Sequence, residues 1–284
     1  MDTFRDFEHV GWTDAAVCSV YENRLGRVAE QAIGPLLDAV RVGPADAVLD
    51  VATGAGMVAA AAAKRGATAV GLDFSDEQLR RARANHPDIG FESGEADALP
   101  FGPSTVDVVV CSLGVPHFAD PDSFFRESWR VLRPGGRFGF TVWAAPAQSK
   151  GFEIIYGAIQ RHGSLDVGLP AGPNFFLYAD PLRATESLTA AGFDAVSSSI
   201  VPQMWEFAAA DDLFDTILHG TVRAAAVLRR QPPETLTRIR DEVRDAVAAY
   251  ADGDVYRVPM PAVLVTGTKP PSDAVAVPGA DPSP

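Results

Sequence analysis

Cysteine is nearly absent: the 284 residues contain only Cys18 and Cys111. The two lie far apart and form no CxxC spacing, which excludes a disulfide framework and a cysteine metal site. No metal is expected. Free thiols suit a reducing compartment, so a cytoplasmic location is expected. Basic charge is also scarce, with 24 Lys and Arg against 37 Asp and Glu and a formal net charge of −13. A nucleic-acid partner needs a basic stripe to neutralise phosphates, and none is expected. No run of about 18 apolar residues occurs, so nothing reads as a membrane span. The start, Met1-Asp2-Thr3-Phe4-Arg5-Asp6, is too polar and acidic for a secretory signal. There is no internal repeat.

What remains is an ordinary globular composition, 47% hydrophobic and 21% charged, enough for one α/β domain with insertions or two small domains. The informative stretch is Val48-Leu49-Asp50-Val51-Ala52-Thr53-Gly54-Ala55-Gly56. It reads as a buried strand entering a glycine turn. Gly54 and Gly56 let the backbone approach a ligand closely. Met57 to Lys64 follows as an alanine-rich helix whose N-terminus faces the same spot. Such a unit makes a nucleotide-type pocket at the carboxyl end of a parallel sheet. Gly54 to Ala59 also fits the loose dinucleotide fingerprint. Asp50 argues against that reading, because an anion there repels a pyrophosphate yet accepts hydrogen bonds from a cationic ligand.

Further along, Thr68 to Leu72 reads as a strand ending in Asp73, near the spacing of a ribose-binding acid. NAD enzymes also carry an acid at this point, so Asp73 does not discriminate. Ser75 caps a helix over Asp76 to Asn85. Ile89 to Glu92 is a short strand before Gly94-Glu95-Ala96-Asp97-Ala98-Leu99-Pro100-Phe101. Val106 to Cys111 is a buried strand opening into Ser112-Leu113-Gly114-Val115-Pro116-His117. Asp122 to Leu132 is helical, and Leu132-Arg133-Pro134-Gly135-Gly136 precedes a strand over Phe138 to Trp143.

Taken together, these segments from about residue 40 to 143 resemble the Rossmann-like S-adenosylmethionine (SAM) methyltransferases. They are most similar to the ubiquinone/menaquinone-biosynthesis-like, small-molecule type. Ala52 stands where the family pattern has its first glycine. The resemblance implies SAM as cofactor, held by Tyr21, Asp50, Ala52, Gly54, Gly56, Asp73, Phe74, Asp97, Ala98, Ser112 and Leu113. In that picture Tyr21 approaches the SAM carboxylate, although it reads equally as a packing tyrosine. Asp73 takes the ribose, Asp97 with the Ala98 amide takes the adenine edge, and Leu113 and Val115 sandwich the ring.

The fold expected is a doubly wound α/β domain whose seven-stranded sheet is mostly parallel, with the last strand antiparallel. Residues 1–40 form an N-terminal cap, with a helix over Tyr21 to Val40 bent near Gly34-Pro35. Residues 41–268 form the cofactor domain. Within it, 144–180 reads as an aperiodic lid and 209–252 as a helical insertion of two helices, Asp211 to Leu228 and Glu234 to Tyr250. Ala195 to Phe207 is a strand pair or one bent strand, Met260 to Thr268 is the final strand, and 269–284 is a disordered tail. The insertion roofs the site and also offers a surface for a homodimer.

The expected activity is methyl transfer to a small hydrophobic or aromatic molecule, most readily at oxygen. His117 is the candidate base, with a packing histidine as the plain alternative. Trp12, His117, Tyr178, Trp205, His219 and Arg223 are the candidate substrate contacts. A second reading keeps SAM but runs non-methylating chemistry, such as a cyclisation, or a binding role. A third, an NAD(P) oxidoreductase, lacks any Tyr-x-x-x-Lys pair.

Overall fold

A computed structural model of the chain describes residues 3–271. Four short helices come first: α1 (Phe4–Trp12), α2 (Ala15–Asn23), α3 (Leu25–Ala29) and α4 (Ile33–Ala39). The sheet and its crossovers follow: β1 (Ala47–Val51), α5 (Met57–Lys64), β2 (Thr68–Asp73), α6 (Asp76–Asn85), β3 (Gly90–Ser93), β4 (Val106–Ser112), α7 (Pro121–Val131) and β5 (Leu132–Trp143). The remainder runs α8 (Lys150–His162), α9 (Pro181–Ala190), β6 (Asp194–Val201), β7 (Met204–Phe207), α10 (Asp212–Gly220), α11 (Arg223–Arg229), α12 (Pro233–Val247), β8 (Ala251–Asp252), β9 (Val255–Pro259) and β10 (Ala262–Thr268).

Seven strands form the main sheet in the order β3-β2-β1-β4-β5-β10-β6. The five strands from β3 to β5 pair in parallel, while β10 runs antiparallel to both β5 and β6. This matches the expected doubly wound sheet. Strand periodicity assigns the two faces. Leu49, Val51, Val109 and Cys111 pack with Phe124, Phe125 and Phe138 on one side. Val48, Val108 and Val110 pack with Leu36, Leu37 and Val58 on the other. A third apolar cluster joins Leu25, Leu113 and Trp143 to α8, α10 and α12, and forms a roof over the carboxyl ends of the strands.

Several expected boundaries moved. The bend placed at Gly34-Pro35 falls instead at Arg24 and at the 3₁₀ turn Glu30–Ala32. Gly34-Pro35 sits in the first turn of α4, where a missing N–H costs nothing. The stretch expected to be an aperiodic lid contains α8, thirteen residues with Ile155 and Ile159 fully buried. Ala195 to Phe207 is not one strand or hairpin: β6 edges the main sheet, while β7 joins the separate sheet β7-β9-β8. Strand β9 carries no alternation strong enough to read, and the final strand starts at Ala262 rather than Met260.

The single helix expected over Asp211 to Leu228 is two. The break is at Gly220-Thr221, where a Cβ on Gly220 would come within 2.8 Å of Val20 and 3.1 Å of the Tyr21 amide. Close approach of α2 demands the glycine, and the Thr221 hydroxyl accepts the Ala225 amide at 3.1 Å to restart the helix. At the start of the expected tail, Lys269 is packed, donating to the Trp129 and Leu132 carbonyls at 2.8 and 2.7 Å. Residues 272–284 of that tail lie outside the described residues. Among the described residues, no helix is long and apolar enough to cross a membrane.

Candidate functional site

Strands β1, β2 and β4 end side by side, and their carboxyl ends open into a cleft of about 940 Å³. The crevice lies where strand order reverses, between β1 and β4, which is where open α/β sheets bind ligands. Its floor is the turn after β1. Gly54 and Gly56 have φ of +54° and +86°. A Cβ on Gly56 would come within 2.8 Å of the Phe91 ring, whereas one on Gly54 would meet nothing closer than Gln78 Oε1 at 4.0 Å. Packing therefore requires Gly56, and backbone conformation at an open floor requires Gly54. Ala52 shares the left-handed conformation, with φ of +56°. An alanine there stores about 1 kcal/mol of strain.

Two of the three expected carboxylates reach open space. Asp73 borders the cleft; its Oδ2 accepts the Gly54 amide and its Oδ1 the Ser75 amide, each at 2.9 Å. Each oxygen keeps a second lone pair. Asp97 borders an adjoining groove of about 470 Å³ that shares Asp73 and Phe74 with the cleft. Asp50 corrects the expectation. It is fully buried beneath the turn and outside the cleft lining. Its Oδ2 accepts the Thr53 hydroxyl at 2.6 Å and the Ala59 amide at 3.0 Å, so it braces the loop. Its Oδ1 has no hydrogen-bond partner among the described residues.

Burial governs the ionisation of this group of residues. Desolvation raises Asp50 to about 7 and Asp73 to about 6, against the hydrogen bonds that favour their ionised forms. Desolvation also raises the phenols of Tyr21 and Tyr156 to about 12, so both stay protonated near neutrality. At the cleft rim Glu22 pairs with Arg81 at 2.7 Å, and Glu30 lies 3.6 Å from Arg27.

Beyond the cleft lies a smaller inner pocket under the roof. Trp12, Tyr21, Leu113 and His117 line both spaces and form the wall between them. Trp143, Phe152, Tyr156 and Phe175 give the inner pocket an aromatic lining, and among the described residues no carboxylate lines it. Arg223 is its permanent charge. The guanidinium donates to the Pro170 carbonyl at 3.0 Å and lies over the Phe4 ring at 5.7 Å. His117 ends a 3₁₀ turn after β4, held edge-on by Trp12 and Phe175 at ring-centre distances of 5.0 and 5.6 Å.

Of the remaining expected site residues, Phe74, Ser112 and Leu113 line the cleft, and Leu113 does so with φ of +61°. Gly56 braces the turn beside that lining. The Ala98 amide is taken by the Glu95 carbonyl at 3.3 Å, and Val115 is buried away from the cleft, so neither is free for a base edge. Three substrate candidates fall away. Tyr178 is core, with its hydroxyl donated to Asp122 at 3.1 Å. Trp205 is buried at 3% exposure, packed under the second sheet rather than in the pocket. His219 is exposed on α10.

The cap expected over the N-terminal residues is α1, and Trp12 lines the cleft as expected; what the sequence did not disclose is how the helix is fastened. Arg5 pairs with Asp97, the His9 ring stacks on Phe74 at 4.0 Å, and the Trp12 carbonyl accepts the Ser75 hydroxyl at 2.7 Å. The helix thus lies along the groove. The signal available was its apolar spacing, Phe4, Phe7 and Trp12 on one face, with cations facing the acidic Glu95 and Asp97 loop.

A methyltransferase-domain family model matches residues 49–140. A demethylmenaquinone methyltransferase of Streptomyces avermitilis is 32% identical over 169 residues, covering 56% of this chain and 73% of that one. Matches to three other curated relatives span 42 to 51% of those proteins, about half of their length. Among solved structures, the cyclase SpnF superposes with a TM-score of 0.58 at 19% identity, covering 94% of this chain and 97% of that one. Phosphoethanolamine N-methyltransferase 2 of Haemonchus contortus, in complex with S-adenosyl-L-methionine, superposes at 0.57 with 17% identity, covering 95% and 60%. At such identities these two speak for the fold alone. The Streptomyces relative, matched along most of its length, carries the assignment: the chain belongs to the class I, Rossmann-like SAM-dependent methyltransferases.

Proposed function

We propose that the chain transfers a methyl group from SAM to a hydroxyl of a small aromatic molecule seated in the inner pocket. The observation that carries this reading is the shared wall: a titratable side chain, His117, stands where the cofactor cleft meets an aromatic-lined chamber. The residues suit an adenosyl sulfonium. Asp73 offers two unused lone pairs to vicinal hydroxyls, Gly54 leaves the floor open, and the orphaned Asp50 Oδ1 puts negative potential beneath it. When bound, SAM supplies an activated methyl carbon. The chain's own contribution is placement and dryness: Trp12, Tyr21 and Leu113 exclude water, and His117 accepts the proton of the reacting hydroxyl.

Arg223, without a carboxylate in the pocket, favours an acceptor with an anionic group. Phenolic carboxylates combine that charge with a planar ring. Mass spectrometry of the chain incubated with SAM and protocatechuate or caffeate should show the gain of one methyl group. Arg223→Gln should raise KM for such acceptors about tenfold with kcat little changed. Tight binding of S-adenosylhomocysteine without methylation of any aromatic hydroxyl would instead favour the non-methylating reading.

The two buried carboxyls make cofactor binding pH-dependent. A cation in the cleft favours their ionised forms, so binding releases protons. Affinity for SAM should rise as pH passes through about 6 and about 7, the raised values of Asp73 and Asp50, and flatten above. Calorimetry at about pH 5.5 and about pH 8 should differ at least threefold in affinity. Without ligand the same shift acts against folding. Between the ordinary value of 3.8 and about 7, the unfolded chain has lost protons that the folded carboxyls keep, so their contribution is lost as pH rises through that window. Asp50→Asn should flatten that part of the stability profile.

A further inference from the structure

Glu8 is an acid the reaction above leaves unused, yet it is only 2% exposed. Its Oε2 lies 2.8 Å from His117 Nδ1 and 3.1 Å from Trp12 Nε1. The indole nitrogen also lies 3.3 Å from His117 Nδ1. An indole N–H only donates, and an ionised carboxylate only accepts. With Glu8 ionised, one assignment of protons satisfies all three groups: the indole and the imidazole Nδ1–H both donate to Oε2. That leaves the His117 Nε2 lone pair bare, the form a proton acceptor needs.

We propose that Glu8 is a positioning residue for His117, fixing its tautomer and ring orientation, and that α1 delivers it. The helix is fastened at both sides of Glu8. Arg5 pairs with Asp97 and lies 3.7 Å from Glu95; His9 Nε2 lies 2.9 Å from Glu95 and its ring covers Phe74; the Trp12 carbonyl holds Ser75. The contacts that seat α1 along the groove are therefore the contacts that bring the carboxylate to the base. The competent base is assembled only with α1 in place. This inference rests on the reading of His117 as the proton acceptor.

The test is nitrogen NMR on the isotopically labelled full chain, with the His117 signals assigned by their loss in His117→Gln. Wild type should show His117 in the Nδ1–H form, and Glu8→Ala should move it toward the Nε2–H form. With protocatechuate, Glu8→Ala should lower kcat by about tenfold to a hundredfold while KM and S-adenosylhomocysteine affinity stay within about twofold. Glu8→Gln, whose amide oxygen still accepts the Nδ1–H, should recover part of the loss. An Nε2–H tautomer in wild type overturns the proposal without recourse to any variant, as does a tautomer unmoved in Glu8→Ala. Wild type that methylates neither protocatechuate nor caffeate, yet shows the expected tautomer and its loss, overturns the proposed reaction and leaves the Glu8–His117 pair standing.

Discussion

Asp73→Ala should weaken S-adenosylhomocysteine binding by about a hundredfold, and Asp73→Asn by about tenfold, as measured by calorimetry. The carboxylate is 6% exposed and joins two functions. Toward the cleft it offers acceptors to a pair of hydroxyls, each charge-assisted bond contributing about 1.5–3 kcal/mol. Toward the protein it ties the Gly54 amide to the Ser75 amide, so its loss also loosens the glycine floor and the N-terminus of α6. The product is the better probe, because it is neutral at sulfur and separates hydroxyl recognition from charge. Asp97→Ala should cost much less, since that carboxylate already spends one oxygen on Arg5. Unchanged affinity in a folded Asp73→Ala would mean that the acid is a brace and that the cofactor sits elsewhere.

The parts of this molecule legible in the sequence are those fixed by local chemistry. The glycine turn after β1, the Ser75 cap and the acid closing β2 each need particular residue types at fixed spacing, and each was found in place. Asp50 was legible as special but not in its direction. Strand alternation puts Leu49 and Val51 on one face and leaves open whether the carboxylate at position 50 turns to the cleft or to its own loop. Only the hydroxyl of Thr53 and the amide of Ala59, both within reach, decide that. The inner pocket was least legible. Its walls come from α1, α2, α3, the turn after β4, β5, α8 and α11, and no local pattern records that Tyr156 and Arg223 will share it with Trp12. Tyr178 and Trp205 failed for the same reason: aromatic density near a roof does not say which rings line a cavity and which fill the core beside it, while His219 simply falls on the solvent side of α10. Glu8 was missed because a buried acid on an amphipathic helix looks, in sequence, like one more solvent-facing charge.

His117→Gln should lower kcat with protocatechuate by about a hundredfold to a thousandfold, with KM and S-adenosylhomocysteine affinity nearly unchanged. The glutamine preserves bulk and polarity against Trp12 and Phe175 but cannot take up a proton. Tyr21 and Tyr156, with phenols raised to about 12, cannot replace it, and the rim acids Glu22 and Glu30 are committed to arginines. The strongest discrimination comes from the acceptor rather than the enzyme. A nitrocatechol is largely ionised near neutrality and needs no base to become nucleophilic. If His117 removes a proton, the loss in His117→Gln should shrink to within about tenfold for nitrocatechol, because the step the residue serves is already complete. If His117 only packs against the acceptor, both acceptors should suffer alike. An equal loss with both would therefore remove His117 from the chemistry and with it the reason to place Glu8 behind it.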